Sequence, residues 1–167
     1  MRESRRTAWA TVAAALMLGG MAASYDSSSA GEAEAEVLEE LLTQQRAALD
    51  PYYGESDPST YVAMYADKVT TFDPWSNGKL EGSAARDHLM GFAGTIPPLA
   101  YEIVDPRVDL YDDTAIFTFN VDLTDPDAGA TFAVWNTTEV HRRTDDGWEL
   151  VHSHWSFATP PPQDAET

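Results

Sequence analysis

Apolar residues recur at helical spacing through the first half of the chain and at strand spacing through the second. From about Glu34, the residues Val37, Leu38, Leu41, Leu42 and Leu49 make one stripe. Acids stand early in this helix and Arg46 late, as the helix dipole favours. Asp50-Pro51 is expected to end it. Asp57-Pro58-Ser59 then reads as a second helix start, with proline in the first turn, leading into residues 60–66. Residues 69–72 predict a short strand that stops at Asp73-Pro74. A turn-rich excursion over 73–82 follows, with Asn77-Gly78 as a tight-turn signal. Ser83 caps a third predicted helix over 84–92, and Pro97-Pro98 breaks the chain again.

Everything after Leu99 reads as strand. Residues 101–104 lead through Asp105-Pro106 into 107–111, and Asp112-Asp113 turns into 114–124. Asp125 to Gly129 turns into the last and richest pair, residues 131–157, folded back at Asp145-Asp146-Gly147. This pair holds three of the five tryptophans and three of the four histidines. Its register decides its chemistry. A two-residue turn at Asp146-Gly147 sets His141 opposite His152 and Glu139 opposite His154, a cluster able to hold zinc. A three-residue loop instead pairs Glu139 with Ser153, and a slip of one residue exchanges every face. His152 and His154, two apart, share one face in a regular strand. Helices first and an antiparallel meander afterwards predict an α+β domain with its helices on one face of the sheet.

With 167 residues, 43% of them hydrophobic, the chain has enough material for one domain with a sizeable core. Its beginning reads differently. Arg2, Arg5 and Arg6 precede an apolar run over 8–23, and small residues follow. This is the pattern of a secretory signal over 1–24, cleaved between 24 and 30, and it predicts an exported, periplasmic or secreted protein. A retained N-terminal anchor is the alternative; the run is short and rich in Ala and Gly for a membrane span. Residues 25–33 read as a polar linker, 34–158 as the domain and 159–167 as a disordered tail. The absence of cysteine excludes disulfides, thiol chemistry and a lipid-modified cysteine. A formal net charge of −18 argues against nucleic acid and anionic lipid as partners. There is no Gly-rich phosphate loop, nucleophile elbow or metal-protease motif, and no cofactor is expected.

Several motifs together carry a resemblance. They are Ile103-Val104-Asp105-Pro106-Arg107-Val108, Thr138-Glu139-Val140-His141-Arg142-Arg143, Asp146-Gly147-Trp148 and Val151-His152-Ser153-His154. Over about 34–157 the chain resembles the nuclear transport factor 2-like superfamily. Within it, the chain is most similar to the association (hub) domain of calcium/calmodulin-dependent protein kinase II and its stand-alone bacterial relatives, which grade into the SnoaL-like group. The resemblance implies a cone-shaped curved sheet wrapped around about three N-terminal helices, with a pocket and self-association through the outer face of the sheet. The chain has no room for a kinase domain, so no kinase activity is implied. A second likeness, over Met64-Tyr65-Ala66-Asp67, Asp73-Pro74 and Leu80-Glu81-Gly82, is to the steroid isomerases of the same superfamily. There the aspartate of the Asp-Pro step is the general base, which places Asp73 in that role. The tyrosine those enzymes carry on the first helix falls near Ala48 or Leu49, where no hydroxyl exists.

Candidate chemistry follows from both readings. In an apolar pocket the Asp73 carboxyl would suit a general base, while an Asp-Pro turn can equally use it to cap backbone N–H groups. Laid over the hub pattern, Asp122, Glu139 and Trp155 stand where arginines line the animal pocket. The resemblance therefore implies a pocket of reversed sign, in which acids and indoles suit a small cationic ligand. Trp75 and Trp135 are expected as core and pocket wall, and His88 lies two positions from a hub histidine. His152 and His154 are assigned a structural or dimer role, with no metal. Asn136-Thr137-Thr138 is a glycosylation sequon whose meaning depends on a eukaryotic source. The favoured expectation is a non-catalytic, oligomeric, small-molecule-binding domain. The alternatives are a SnoaL-like or isomerase-like enzyme using Asp73, with His154 or His88 assisting, and a pure scaffold.

Overall fold

The structure is a computed structural model that describes residues 27–161. The expected signal segment and residues 162–167 of the expected tail lie outside the described residues.

Helix α1 spans Ser27–Glu55, so the stretch read as a linker is helical from Ser27 onward. Its Ala and Glu residues are strong helix formers and extend the helix that the apolar stripe anchors. The buried positions Val37, Leu41, Gln45, Ala48, Leu49 and Tyr53 follow the helical period. Pro51 does not end the helix as expected; it sits inside it. It forfeits one backbone bond, but Tyr53 beyond it is buried in the core and the Tyr53 carbonyl accepts Leu99 N–H at 3.0 Å. The helix ends at Ser56, whose φ of 55° is left-handed, and Asp57 N–H returns to the Pro51 carbonyl at 3.0 Å. Helix α2 is shorter than expected, Ser59–Ala63. Strand β1, Tyr65–Phe72, claims the residues that follow.

The short strand β2 is Leu80–Glu81, and helix α3 is Gly82–Met90 with Glu81 at its N-cap, two residues before the predicted start. The meander then runs β3 (Ala100–Tyr111), β4 (Thr114–Asp125), β5 (Ala130–Thr144) and β6 (Gly147–Thr159). Asp105-Pro106 does not divide β3. It forms a bulge at which Asp105 takes a φ of 48°.

The sheet order is β2-β1-β6-β5-β4-β3. It is mixed rather than wholly antiparallel, because β1 runs parallel to β6. The chain crosses through α3 before the meander starts, and β6 returns in the direction of β1. That pairing is irregular. Tyr65 pairs with Leu150 and Thr70 with His152, so residues 66–69 face only Val151. The gap is filled from α3. Arg86 Nη2 donates to the carbonyls of Tyr65 and Ala66, each at 2.8 Å. Gly82, with a φ of 52°, lets α3 start close to the bulge; a Cβ there would stand 3.1 Å from the Asp67 carbonyl.

Alternation along β4 and β5 turns Ala115, Phe117, Phe119, Val121 and Leu123, and Ala133, Trp135, Thr137, Glu139 and His141, to the inner face. These meet α1 in one core with Leu41, Leu49, Val69 and Leu150.

Candidate functional site

Between the inner face of the sheet and the ends of α1 and α3 lies a cavity of about 270 Å³. Half of its walls are aromatic: Tyr52 and Tyr61 from the helical side, Trp75 from the loop after β1, and Trp135, Trp155 and Phe157 from the final hairpin. The rings interlock. Trp75 meets Trp135 at a 5.2 Å centroid distance and Phe157 at 5.4 Å, both edge-on. Trp135 lies 4.2 Å from Phe157 and 5.7 Å from Trp155. Trp75 is 53% exposed and forms the rim. An aromatic wall of this kind combines large apolar contact with electron-rich ring faces.

Asp73 is the one carboxylate among the described residues lining this space. Its two oxygens have different surroundings. Oδ1 accepts the N–H groups of Trp75 at 2.8 Å and Ser76 at 3.0 Å, fixing the turn. Oδ2 stands 2.7 Å from Nε2 of His88, off the line of a well-formed N–H···O bond. His88 thus sits behind Asp73, its ring 5.3 Å from that of Phe92.

Glu139 is inside the protein but not in the cavity wall. Its Oε2 lies 3.0 Å from His141 Nε2, and its Oε1 accepts from Gln45 Nε2 at 3.5 Å and from the Tyr61 hydroxyl. Tyr61 in turn accepts the Trp155 indole N–H at 3.0 Å. Burial, and then the charge of Glu139, push the Tyr61 hydroxyl well above its ordinary range. Tyr65 is pushed up to about 12, chiefly by burial.

The register of the final hairpin explains this arrangement. Its loop is Asp145-Asp146, with Thr144 paired to Gly147 and His141 to Leu150. A bulge at Val151 then shifts the pairing, so that Val140 meets His152 and Glu139 meets Ser153. Glu139 therefore has the partner of the second register considered above, reached by a bulge rather than a longer loop. Glu139 and His141 point inward, while His152 and His154 flank the inward-facing, buried Ser153 and belong to the outer face. The four-residue zinc arrangement does not form. Among the described residues no group of three or more His, Asp or Glu side chains is placed to hold a metal. His152 Nδ1 is 2.7 Å from the Thr70 hydroxyl, and Phe72 packs beside both histidines.

Asp122 requires a correction. It is an even-numbered residue of β4, whose odd positions face inward, so it stands on the outer face between Glu102 and Val134. Of the three acids expected at the pocket, Asp73 stands in the wall, Glu139 behind it and Asp122 on the other face of the sheet. The site also contains residues that sequence reasoning passed over: Tyr52, Tyr61, Tyr65 and Phe157 in the wall, and Gln45 behind it. A signal existed, since four of the seven tyrosines fall within residues 52–65.

A mixed six-stranded sheet backed by an N-terminal helix, with an aromatic cavity between them, defines a cystatin-like α+β fold of the nuclear transport factor 2-like kind. The SnoaL-like domain matches residues 47–160, and the chain belongs to this family. Solved structures agree. A ketosteroid isomerase-like protein from Parabacteroides distasonis is 29% identical with a TM-score of 0.63, covering 74% of this chain and 89% of its own. The S. rosetta calcium/calmodulin-dependent protein kinase II hub is 27% identical with a TM-score of 0.59, covering 72% and 95%. A bacterial association domain from Thiobacillus denitrificans, 22% identical with a TM-score of 0.57 over 71% and 92%, shares the fold. No curated protein matches the chain.

Proposed function

We propose that this domain binds a small, largely apolar molecule carrying a protonated nitrogen. One observation carries the reading: a single carboxylate, Asp73, faces a cavity whose wall, Thr71 and Thr95 aside, is otherwise aromatic and aliphatic among the described residues. Burying the apolar body of a ligand there supplies affinity, and ring faces attract a cation. Asp73 is held in place through Oδ1 by the Trp75 and Ser76 amides, which leaves Oδ2, beside His88, to meet the ligand without further ordering. α-Methylbenzylamine, which pairs a phenyl ring with an ammonium group, is a suitable probe. It should raise the melting temperature, and Asp73→Asn should weaken it about ten- to a hundredfold. An unchanged affinity in Asp73→Asn would overturn the reading.

A second reading is acid–base catalysis on a ketone, with Asp73 as base and His88 as its partner. It is favoured by the 2.7 Å approach of His88 Nε2 to Asp73 Oδ2 beside an apolar cavity, and by the isomerase-like relative. In that case Asp73→Asn lowers turnover about a hundredfold or more and leaves ketone binding largely intact. Self-association through the outer face, near His152 and His154, belongs to the same proposal and is supported by the hub-type relatives. Light scattering of the His152→Ala/His154→Ala double variant tests it. Export rests on the Arg-led apolar run at residues 1–24, and N-terminal sequencing of the secreted protein tests that.

A further inference from the structure

The hydrogen-bond chain behind the cavity has a direction. An indole N–H can only donate, so the Tyr61 oxygen must accept from Trp155 Nε1, 3.0 Å away. The hydroxyl proton of Tyr61 then goes to its other polar neighbour, Oε1 of Glu139. Glu139 is fixed in turn by Gln45 and His141, and all three side chains are fully or almost fully buried. This leaves Tyr61, a cavity-lining residue, with a spent proton and one lone pair that has no partner among the described residues. What the Tyr61 oxygen has left to offer a ligand is therefore an acceptor and not a donor.

We infer that Tyr61 is a specificity-determining residue that selects ligands bearing a hydrogen-bond donor, an alcohol or amine rather than a ketone or ether. Glu139 is the positioning residue that keeps its hydroxyl turned away from the cavity. The inference rests on the proposed binding role, and because Asp73 can also accept from an alcohol, Tyr61 is read from the change that its own substitution makes. Trp135 also lines the cavity and its Nε1 has no protein partner. Alcohol and ketone oxygens can both accept from that group, so it does not distinguish the two. Buried polar groups left unpaired by a mismatched ligand are what make such discrimination large.

The experiment measures binding of phenylethanol and acetophenone, which share one carbon skeleton, to the full domain by calorimetry and thermal shift. The wild-type protein should prefer the alcohol by about tenfold. Tyr61→Phe should lower the preference several-fold. Glu139→Gln keeps a carbonyl acceptor facing Tyr61 and should retain it. Glu139→Leu frees the hydroxyl to donate into the cavity and should shift the ratio toward the ketone, a change that a merely structural role for Glu139 would not produce. Should a variant fail to fold, the indole N–H resonance of Trp155 in the wild-type protein serves instead: both aromatic probes shift it by ring current, and the alcohol, by bonding the Tyr61 oxygen that this N–H donates to, should shift it further. Equal or ketone-favouring binding by the wild type, failure of both probes to bind, or an unchanged ratio in Tyr61→Phe overturns the inference. Loss of amine binding in Asp73→Asn with no alcohol preference would leave the binding proposal standing and remove this one alone.

Discussion

Arg86 has no place in the cavity, yet the structure makes it a keystone of the elements that build it. Strand β1 leaves β6 between Tyr65 and Thr70, and the backbone of residues 66–69 loses its ladder partners there. One nitrogen of Arg86 takes the carbonyls of Tyr65 and Ala66, both at 2.8 Å, and a second lies 3.5 Å from that of Asp67. Hydrogen bonds from a charged donor contribute about 1.5–3 kcal/mol each. The Arg86 side chain is 26% exposed, so water replaces part of what is lost. Arg86→Met keeps the aliphatic stem and removes only the donors, and should cost about 3 kcal/mol. In a domain of this length that is a fall of roughly 12 °C in melting temperature. Arg86→Lys, whose single ammonium cannot reproduce the planar fork, should recover about half of it. Urea unfolding followed by tryptophan fluorescence measures both. Because α3 also carries His88 to Asp73, affinity for α-methylbenzylamine should fall in the Met variant as well. A loss below about 0.5 kcal/mol, the level of an ordinary surface change, would refute the claim that these carbonyls depend on Arg86.

Two further predictions concern titration and the α1–β6 contact. Burial, then the neighbouring His154, holds the His152 pKa below its ordinary 6.5. The folded state therefore prefers neutral His152: its contribution is complete above about pH 6.5 and is lost as pH falls through the depressed folded value. His152→Gln should flatten that part of a stability-versus-pH curve, and an unchanged slope would refute the assignment. Trp148 Nε1 donates to Glu40 Oε2 at 2.7 Å, and the Arg143 guanidinium stands 4.7 Å over the indole ring. Trp148→Phe should cost about 1 kcal/mol. It should also raise the Glu40 pKa, which the Trp148 bond first and Arg143 second hold below 4.5, as carboxylate-detected NMR would read directly.

The parts of the fold legible in the chain are those set by local chemistry. The stripe of α1, the alternation of β4 and β5 and the Asp-rich turns each follow from side-chain periodicity or turn propensity. Pro51 and Val151 show where that stops. A proline inside a helix is tolerated when tertiary contacts beyond it outweigh one missing bond, and those contacts come from Leu99, far along the chain. The bulge at Val151 has no glycine or proline to announce it. Asp73, Trp75, Trp135 and Trp155 were readable as a group because the family resemblance and their aromatic character agreed. Asp122 was misplaced because an alignment inferred from motifs does not guarantee the parity of a strand. Tyr61 escaped notice because its importance lies in the direction of a hydrogen bond, which depends on Trp155 and Glu139 reaching the same point from two strands.

That parity has chemical consequences. With an unbulged β6 of the same sequence, Glu139 would pair with His152 instead of Ser153, and His152 and His154 would face inward beside Glu139 and His141. The bulge instead exports both His152 and His154 to the outer face and leaves a small serine against the Glu139 backbone. The inner acid is then satisfied by Tyr61, Gln45 and His141, and becomes a fixed element of the core rather than a ligand group. The outer histidines lie beside Thr70 and Phe72. One extra residue thus separates two polar systems that a regular ladder would have merged.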